Sequence, residues 1–261
     1  MKKIWLMGGF GNVLFQILVF NVISKTNKNV YYVKKLTEKN LITKCLGWTI
    51  HQELYNDLIE EKDFYPKNLF NSIRIVIVSF LSKIFKKKFQ IATFYNEYVQ
   101  IEDNISNNVF GYFQDFKFLN KNKSELLILG EKLRNLYAYK GNLCVVHYRR
   151  GDSEWAIKFS NYYLNVRDLL KNESRDILIV TDSLEEAKIF FSEVNNTKII
   201  SSKNALDDFK HLVSAKKLYC APSTFSWWAA HSLEINSEII MPSFFNEKLG
   251  IFVKNENLII L

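Results

Sequence analysis

Asn142-Leu143-Cys144-Val145-Val146-His147-Tyr148-Arg149-Arg150-Gly151-Asp152 decides the fold. Its first seven residues form an almost continuous apolar run, too short for a helix of ordinary length, and the run stops abruptly at charge. Such a run predicts a strand covered on both faces, which is the condition of a strand inside a parallel sheet. The pattern then repeats downstream. Residues 162–170 have helical spacing, and Asp176-Ile177-Leu178-Ile179-Val180-Thr181 is a second apolar strand. Ser183-Leu184-Glu185-Glu186 matches a capping box, with Leu184, Ala187, Phe191 and Val194 along one helical face. Strands at 198–201, 217–221 and 238–241 alternate with helices at 206–215 and 225–233. Buried strands separated by helices of this length predict a doubly wound parallel α/β sheet.

Upstream, residues 3–7 read as a strand, Gly8-Gly9-Phe10-Gly11-Asn12 as a turn and 13–24 as a helix, with another strand at 30–33. This is a β-α-β opening with glycines where strand passes into helix. Residues 34–100 are less regular, and neither a repeat nor a low-complexity linker is present. The chain divides between 120 and 141, into a domain at 1–135 and a better-defined one at 136–261.

Composition narrows the function classes. Of 261 residues, 48% are hydrophobic and only 3 are Pro and 9 Gly, which excludes collagen-like, linker-dominated and disordered chains. The net charge of +8 suits nucleic acid, an anionic membrane or a phosphorylated ligand, and equally a solvated surface. The basic residues are dispersed and no nucleic-acid-binding module is present, so nucleic acid is not an expected partner. Cys45, Cys144 and Cys220 form no C-x-x-C pair; the last two sit in apolar runs, as expected of a protein without disulfides in a reducing compartment. With no signal-peptide core and no membrane span, a cytoplasmic location is expected. Residues 73–89 pair an apolar stretch with Lys86-Lys87-Lys88, which fits either a core helix with a basic end or peripheral contact with anionic membrane.

In open α/β sheets ligands bind beyond the carboxyl ends of strands. Four polar or glycine-rich interruptions follow directly on strands: 8–12, 147–152, 181–183 and 222–227. In the first, Leu14 occupies the third glycine position of the dinucleotide fingerprint, so nicotinamide or flavin binding is not indicated. Gly9 and Gly11 still permit close backbone approach to a ligand, or simply a tight turn. In the second, adjacent arginines at a strand end point to opposite sides, so one can face the crevice while the other makes a structural pair. Arg149 and Arg150 offer bidentate grips for phosphate; an Arg–Asp salt bridge on the rim is the alternative. Asp182 reads as a helix cap or as an acceptor from a base or ribose. Ser223, Thr224, Phe225 and Ser226 open a helix, where hydroxyls and amides make an anion site or an ordinary N-cap over buried tryptophans. Walker A, H-E-x-x-H, G-x-S-x-G and D-x-D motifs are absent, and the four histidines have no metal-ligand spacing.

Together these blocks resemble the family 11 glycosyltransferases, the α-1,2-fucosyltransferases that use GDP-fucose. The resemblance lies in Gly8-Gly9-Phe10-Gly11-Asn12-Val13-Leu14-Phe15-Gln16, in Gly111-Tyr112-Phe113-Gln114 and in His147-Tyr148-Arg149-Arg150-Gly151-Asp152. It continues in Ile179-Val180-Thr181-Asp182 and in Ser223-Thr224-Phe225-Ser226-Trp227-Trp228-Ala229-Ala230. The blocks stand in the family's order. Val13 departs from the family's usual Gln, Phe209-Lys210-His211 replaces its usual lead-in, and the Asp-Ser-Glu-Trp after Gly151 differs from its common pairing.

The resemblance implies a GT-B-like fold of two Rossmann-like domains facing across a cleft, with the acceptor on the N-terminal side and the GDP-sugar in the C-terminal domain. It implies that Arg149 holds the β-phosphate with Ser226 and the amides near Thr224 and Phe225, that His147 and Asp182 contact guanine, and that Asn12 faces the reacting centre. The reaction so implied is inverting transfer of L-fucose from GDP-fucose to galactose of a bacterial surface glycan such as O-antigen or capsule, free or on a lipid carrier. Asp152 and Glu154 are the base candidates, no metal or other cofactor is expected, and the alternative is a non-catalytic nucleotide-sugar or glycan binder on the same fold.

Overall fold

Strands β5 (Cys144–Tyr148) and β6 (Ile177–Thr181) are buried at every residue, as their uninterrupted apolar sequences require. They pair in parallel from Cys144↔Ile177 to Tyr148↔Thr181. The computed structural model describes residues 1–6, 8–33, 57–64, 93–95, 108–151, 159–202, 204–245, 249–253 and 257–261. The chain forms two units, Met1–Glu125 and Leu126–Leu261. The division expected from sequence, at 135, and the one in the structure both fall within helix α3 (Lys123–Tyr137).

Among the described residues the N-terminal unit holds a four-stranded parallel sheet in the order β2-β1-β4-β3, formed by β1 (Lys2–Trp5), β2 (Val30–Val33), β3 (Thr93–Tyr95) and β4 (Asn108–Gly111). Helix α1 (Phe10–Ser24) joins β1 to β2 and is apolar nearly all round, with Phe10, Val13, Leu14, Phe15, Ile17 and Leu18 buried. A helix without a polar face is enclosed by its neighbours rather than laid on a surface. Its one buried amide, Gln16, donates from Nε2 to the carbonyl of Gly111 at 3.0 Å, so the polar group is satisfied by the end of β4. Beyond β4, Asp115 caps the short helix α2 (Phe116–Lys121) by accepting from the Phe118 amide.

In the C-terminal unit six parallel strands follow the order β10-β9-β8-β5-β6-β7, with β7 (Thr197–Ile200), β8 (Lys217–Tyr219), β9 (Glu238–Met241) and β10 (Leu258–Ile260). Counted from β5, this is 3-2-1-4-5-6, the doubly wound order whose direction reverses between the first and fourth strands. The crossovers carry α4 (Ser160–Leu170), α5 (Leu184–Phe190), α6 (Ala205–Val213) and α7 (Thr224–Ser232). Cys144, Val146, Tyr148, Tyr163, Val166, Ile179 and Phe191 pack into one core on the α4–α5 side.

At the amino ends of the central strands Arg175 bridges Glu173 and Glu238 at 2.9 and 2.6 Å, and Lys217 reaches Glu173 at 2.9 Å. That network closes one end of the sheet with paired charge. Helix α3 crosses α7 so tightly that a Cβ on Gly130 would lie 2.3 Å from the carbonyl oxygen of His231.

Several expectations need correction. Ser183 makes no side-chain cap bond, so the capping box does not form; Glu186 turns instead to Arg150. The sequence reading does not include strands β3, β4 and β10. Cys144 and Cys220 are buried free thiols, while Cys45 and the 73–89 segment lie outside the described residues. No helix among the described residues is long and apolar enough to cross a membrane.

Candidate functional site

The topological switch of the C-terminal sheet lies between β5 and β8, which are neighbours paired from Cys144↔Lys217 to Val146↔Tyr219. Their carboxyl ends release the two most polar blocks of the sequence side by side: His147 to Gly151 from β5, and the start of α7 from β8. A parallel sheet with this reversal leaves a crevice there.

His147 stands on the face of β5 opposite the Cys144–Val146–Tyr148 core. Its ring lies 5.6 Å from that of Phe225, and its Nδ1 is 2.5 Å from Ser226 Oγ. Burial, with the adjacent Arg149 charge, pushes the imidazole down to about 3, so the ring is neutral at physiological pH. Ser226 is fully buried and its Oγ also accepts from the Ala221 amide at 3.0 Å. Ser223 caps α7, its Oγ accepting from the Ser226 amide at 3.3 Å, while Thr224 and Phe225 form the half-buried first turn. The positive end of the α7 dipole therefore opens at the carboxyl end of β8.

The two arginines part company. Arg150 is bonded through Nε to Glu186 at 2.6 Å and lies 5.7 Å over the Tyr148 ring. Arg149 is exposed at the strand end. Asp182, at the end of β6, accepts from the amides of Arg150 and Gly151 at 2.8 and 3.1 Å. It holds the loop against β6 so closely that a Cβ on Gly151 would come within 2.7 Å of Asp182 Oδ2.

Two tyrosines of α4 brace the same end of the sheet. The Tyr163 hydroxyl donates to the His147 carbonyl and accepts from the Arg149 amide at 3.1 Å, and Tyr162 donates to the Cys220 carbonyl at 2.7 Å. Burial raises both phenols, so they remain hydroxyls at any physiological pH. Sequence alone does not single them out, because buried tyrosines on an apolar helical face look like core; their position directly after the β5 loop is the available signal. Asp152 and Glu154 lie outside the described residues.

In the N-terminal unit the corresponding turn lies between β1 and α1. Gly8 has φ +83°, where a Cβ would sit 2.6 Å from Asn12 Nδ2 and 2.9 Å from Tyr112. Gly9 precedes the first helical residue and meets nothing within 4 Å of a would-be Cβ among the described residues, while Gly11 is buried. Asn12 Oδ1 accepts from Gln114 Nε2 at 2.8 Å. The glycine block and the Gly111–Gln114 block, about a hundred residues apart in the chain, are thus one structure joined through Asn12–Gln114 and Gln16–Gly111. A cavity of about 260 Å³ lies at the other end of α7, lined by Leu127, Arg134, Ala230, Leu233 and Ile239, away from the β5–β8 switch.

The sequence matches no family model and no curated protein. Among solved structures it is similar to the fucosyltransferase NodZ from Bradyrhizobium, with 12% identity and a TM-score of 0.42 over 89% of this chain and 93% of that one. It is also similar to the E. coli heptosyltransferase WaaC with ADP, with 10% identity and a TM-score of 0.47 over 100% and 92% of the two chains. A third is the glycosyl transferase family 9 protein from Veillonella parvula, with 8% identity and a TM-score of 0.42 over 99% and 84%. At these levels the likeness assigns no chemistry to this chain.

Proposed function

We propose that the chain is a glycosyltransferase that moves L-fucose from GDP-fucose to a sugar hydroxyl, with inversion, forming an α-1,2 linkage to galactose of a surface glycan. The observation that carries the reading is the convergence at the β5–β8 switch. An exposed arginine, a neutral buried histidine and a helix N-terminus all gather where a doubly wound sheet receives a nucleotide. The sugar comes from the motif resemblance, three of whose five blocks supply the residues that build this place.

In a single displacement the acceptor hydroxyl attacks C1 of fucose as the C1–O bond to GDP breaks. Negative charge then gathers on the β-phosphate. Arg149 meets it with a permanent, planar, two-point grip, assisted by the α7 dipole. Arg150 is held by Glu186 and serves the loop. A carboxylate, Asp152 or Glu154, takes the acceptor proton.

The test is incubation with labelled GDP-fucose and a panel of β-galactosides. Fucose should appear on the acceptor with release of GDP, and linkage analysis of the product should give α-1,2. Binding of GDP-fucose without transfer or hydrolysis would make the chain a binder. Absence of GDP binding would overturn the reading of the switch point as a nucleotide site.

A further inference from the structure

The hydrogen of one buried hydroxyl determines the state of the histidine at the switch point. Ser226 Oγ accepts from the Ala221 amide at 3.0 Å and lies 2.5 Å from His147 Nδ1. A hydroxyl carries one hydrogen, and a buried one is placed on an acceptor. Among the described residues, Nδ1 is the acceptor within its reach. The hydroxyl therefore donates to Nδ1. A neutral imidazole that accepts at Nδ1 carries its own hydrogen on Nε2. That nitrogen meets no hydrogen-bond partner among the described residues.

We infer that Ser226 is a positioning residue: it fixes His147 in the Nε2–H tautomer and so makes the ring a neutral donor toward an acceptor oxygen of a nucleoside diphosphate at the carboxyl ends of β5 and β8. The tautomer follows from the protein's own hydrogen bonds; its use toward a nucleotide rests on the proposed function. Neutrality matters because a fixed neutral donor orients an oxygen without adding a second full charge beside Arg149.

The molecule carries its own control. His231 donates from Nδ1 to the Trp227 carbonyl at 2.7 Å and accepts at Nε2 from the Phe252 amide at 3.0 Å, the opposite tautomer at the other end of α7. Ring-nitrogen NMR of the 15N-labelled protein at pH 7, without ligand, should show Nε2–H for His147 and Nδ1–H for His231. An Nδ1–H signature for wild-type His147 overturns the inference whatever the variants do.

Ser226→Ala should release His147 to a tautomer mixture while the His231 signature, which reports the fold, stays put. Ser226→Thr, which keeps the hydroxyl, should restore the pattern. GDP binding by Ser226→Ala should weaken about tenfold, the scale of losing one well-placed hydrogen bond to a charged group. Unchanged His147 signals in a folded Ser226→Ala protein would show that Ser226 does not set the tautomer. If the wild type shows the expected tautomers but fails to bind GDP, the nucleotide reading falls and the Ser226–His147 assignment stands.

Discussion

Two helices of this protein are buried nearly all round, and each begins where a strand ends, yet they are entered by opposite means. Helix α1 is entered through glycines: Gly8 takes a positive φ, and Gly9, ahead of the first turn, has a would-be Cβ that touches none of the described residues. Helix α7 is entered through hydroxyls: Ser223 caps it, and Ser226 is committed to His147 and Ala221. The first turn offers bare backbone; the second offers a prearranged set of side chains. The C-terminal entrance therefore depends on protonation and charge, whereas the N-terminal one depends on space.

Acid gives the largest separation between the two. His147 packs at the start of α7 and His231 lies in its last turn; both are buried and are pushed down to about 3 and about 4. The unfolded chain takes up protons near 6.5, so stability is full above that pH and is lost as pH falls toward the folded values. At about 1.4 kcal/mol per unit for each histidine, the two together cost about 4 kcal/mol by pH 5. Helix α1 contains no histidine. Protection of the α7 amides, corrected for the intrinsic exchange rate at each pH, should fall before that of α1 as pH falls from 7 to 5, and His231→Gln should reduce the difference. Earlier opening of α1 would break the contrast.

Charge at the same entrance comes next. Arg149→Lys keeps the charge but loses the planar grip, and turnover should fall about 100-fold or more. Arg150→Lys should lose far less turnover, because its Nε serves Glu186 and the neighbouring loop. The measurement is kcat on GDP-fucose for both variants. Near-normal Arg149→Lys, or equal losses in the two, would remove the distinction between a gripping and a structural arginine.

How far the sequence discloses these two entrances differs for a physical reason. Strands β5 and β6 and the β1-α1-β2 unit are legible because each buries a contiguous apolar run, and burial on both faces leaves an unmistakable pattern. Strand β4 is central in its sheet, yet Asn108-Val109-Phe110-Gly111 is too short and too polar at its start to announce itself. At the site, residue types and their strand-end location are legible, whereas pairings across the chain are not. The Ser183–Glu186 spacing predicts a local cap, but Glu186 finds a fixed charge, Arg150, once β5 and α5 are packed. Ser226 looks like one more hydroxyl for an anion until its distance to His147, 79 residues earlier, is known. Long-range hydrogen bonds decide what such groups do, and no spacing rule encodes them.

Gly8→Ala tests the glycine entrance through its strain. The substitution puts a side chain at φ +83° and drives its Cβ against Asn12 and Tyr112. Together these should cost about 2 kcal/mol of stability in urea unfolding. The change should also disturb Asn12, which Gln114 holds. An unchanged midpoint would mean that the turn relaxes freely and that the Asn12–Gln114 pair does not depend on its shape.

Gly9→Ala is the smallest and sharpest change. Gly9 has φ −73° and ψ 174°, an ordinary extended conformation that alanine adopts, and no atom of the described residues lies within 4 Å of its would-be Cβ. Stability should therefore move by no more than about 0.5 kcal/mol, the usual range for a substitution that meets nothing. If substrate approaches bare backbone at this turn, the added methyl occupies the space that it needs. Misplacement by about 1 Å is then enough to slow transfer by about tenfold or more. Turnover and urea midpoint measured on the same preparation separate the cases. Lost turnover with an unchanged midpoint makes the open space a binding surface; unchanged turnover makes it only the bend that starts α1. Because Gly8→Ala fails through strain and Gly9→Ala fails only through occupancy, the pair distinguishes a glycine kept for the chain's own conformation from one kept for something outside it.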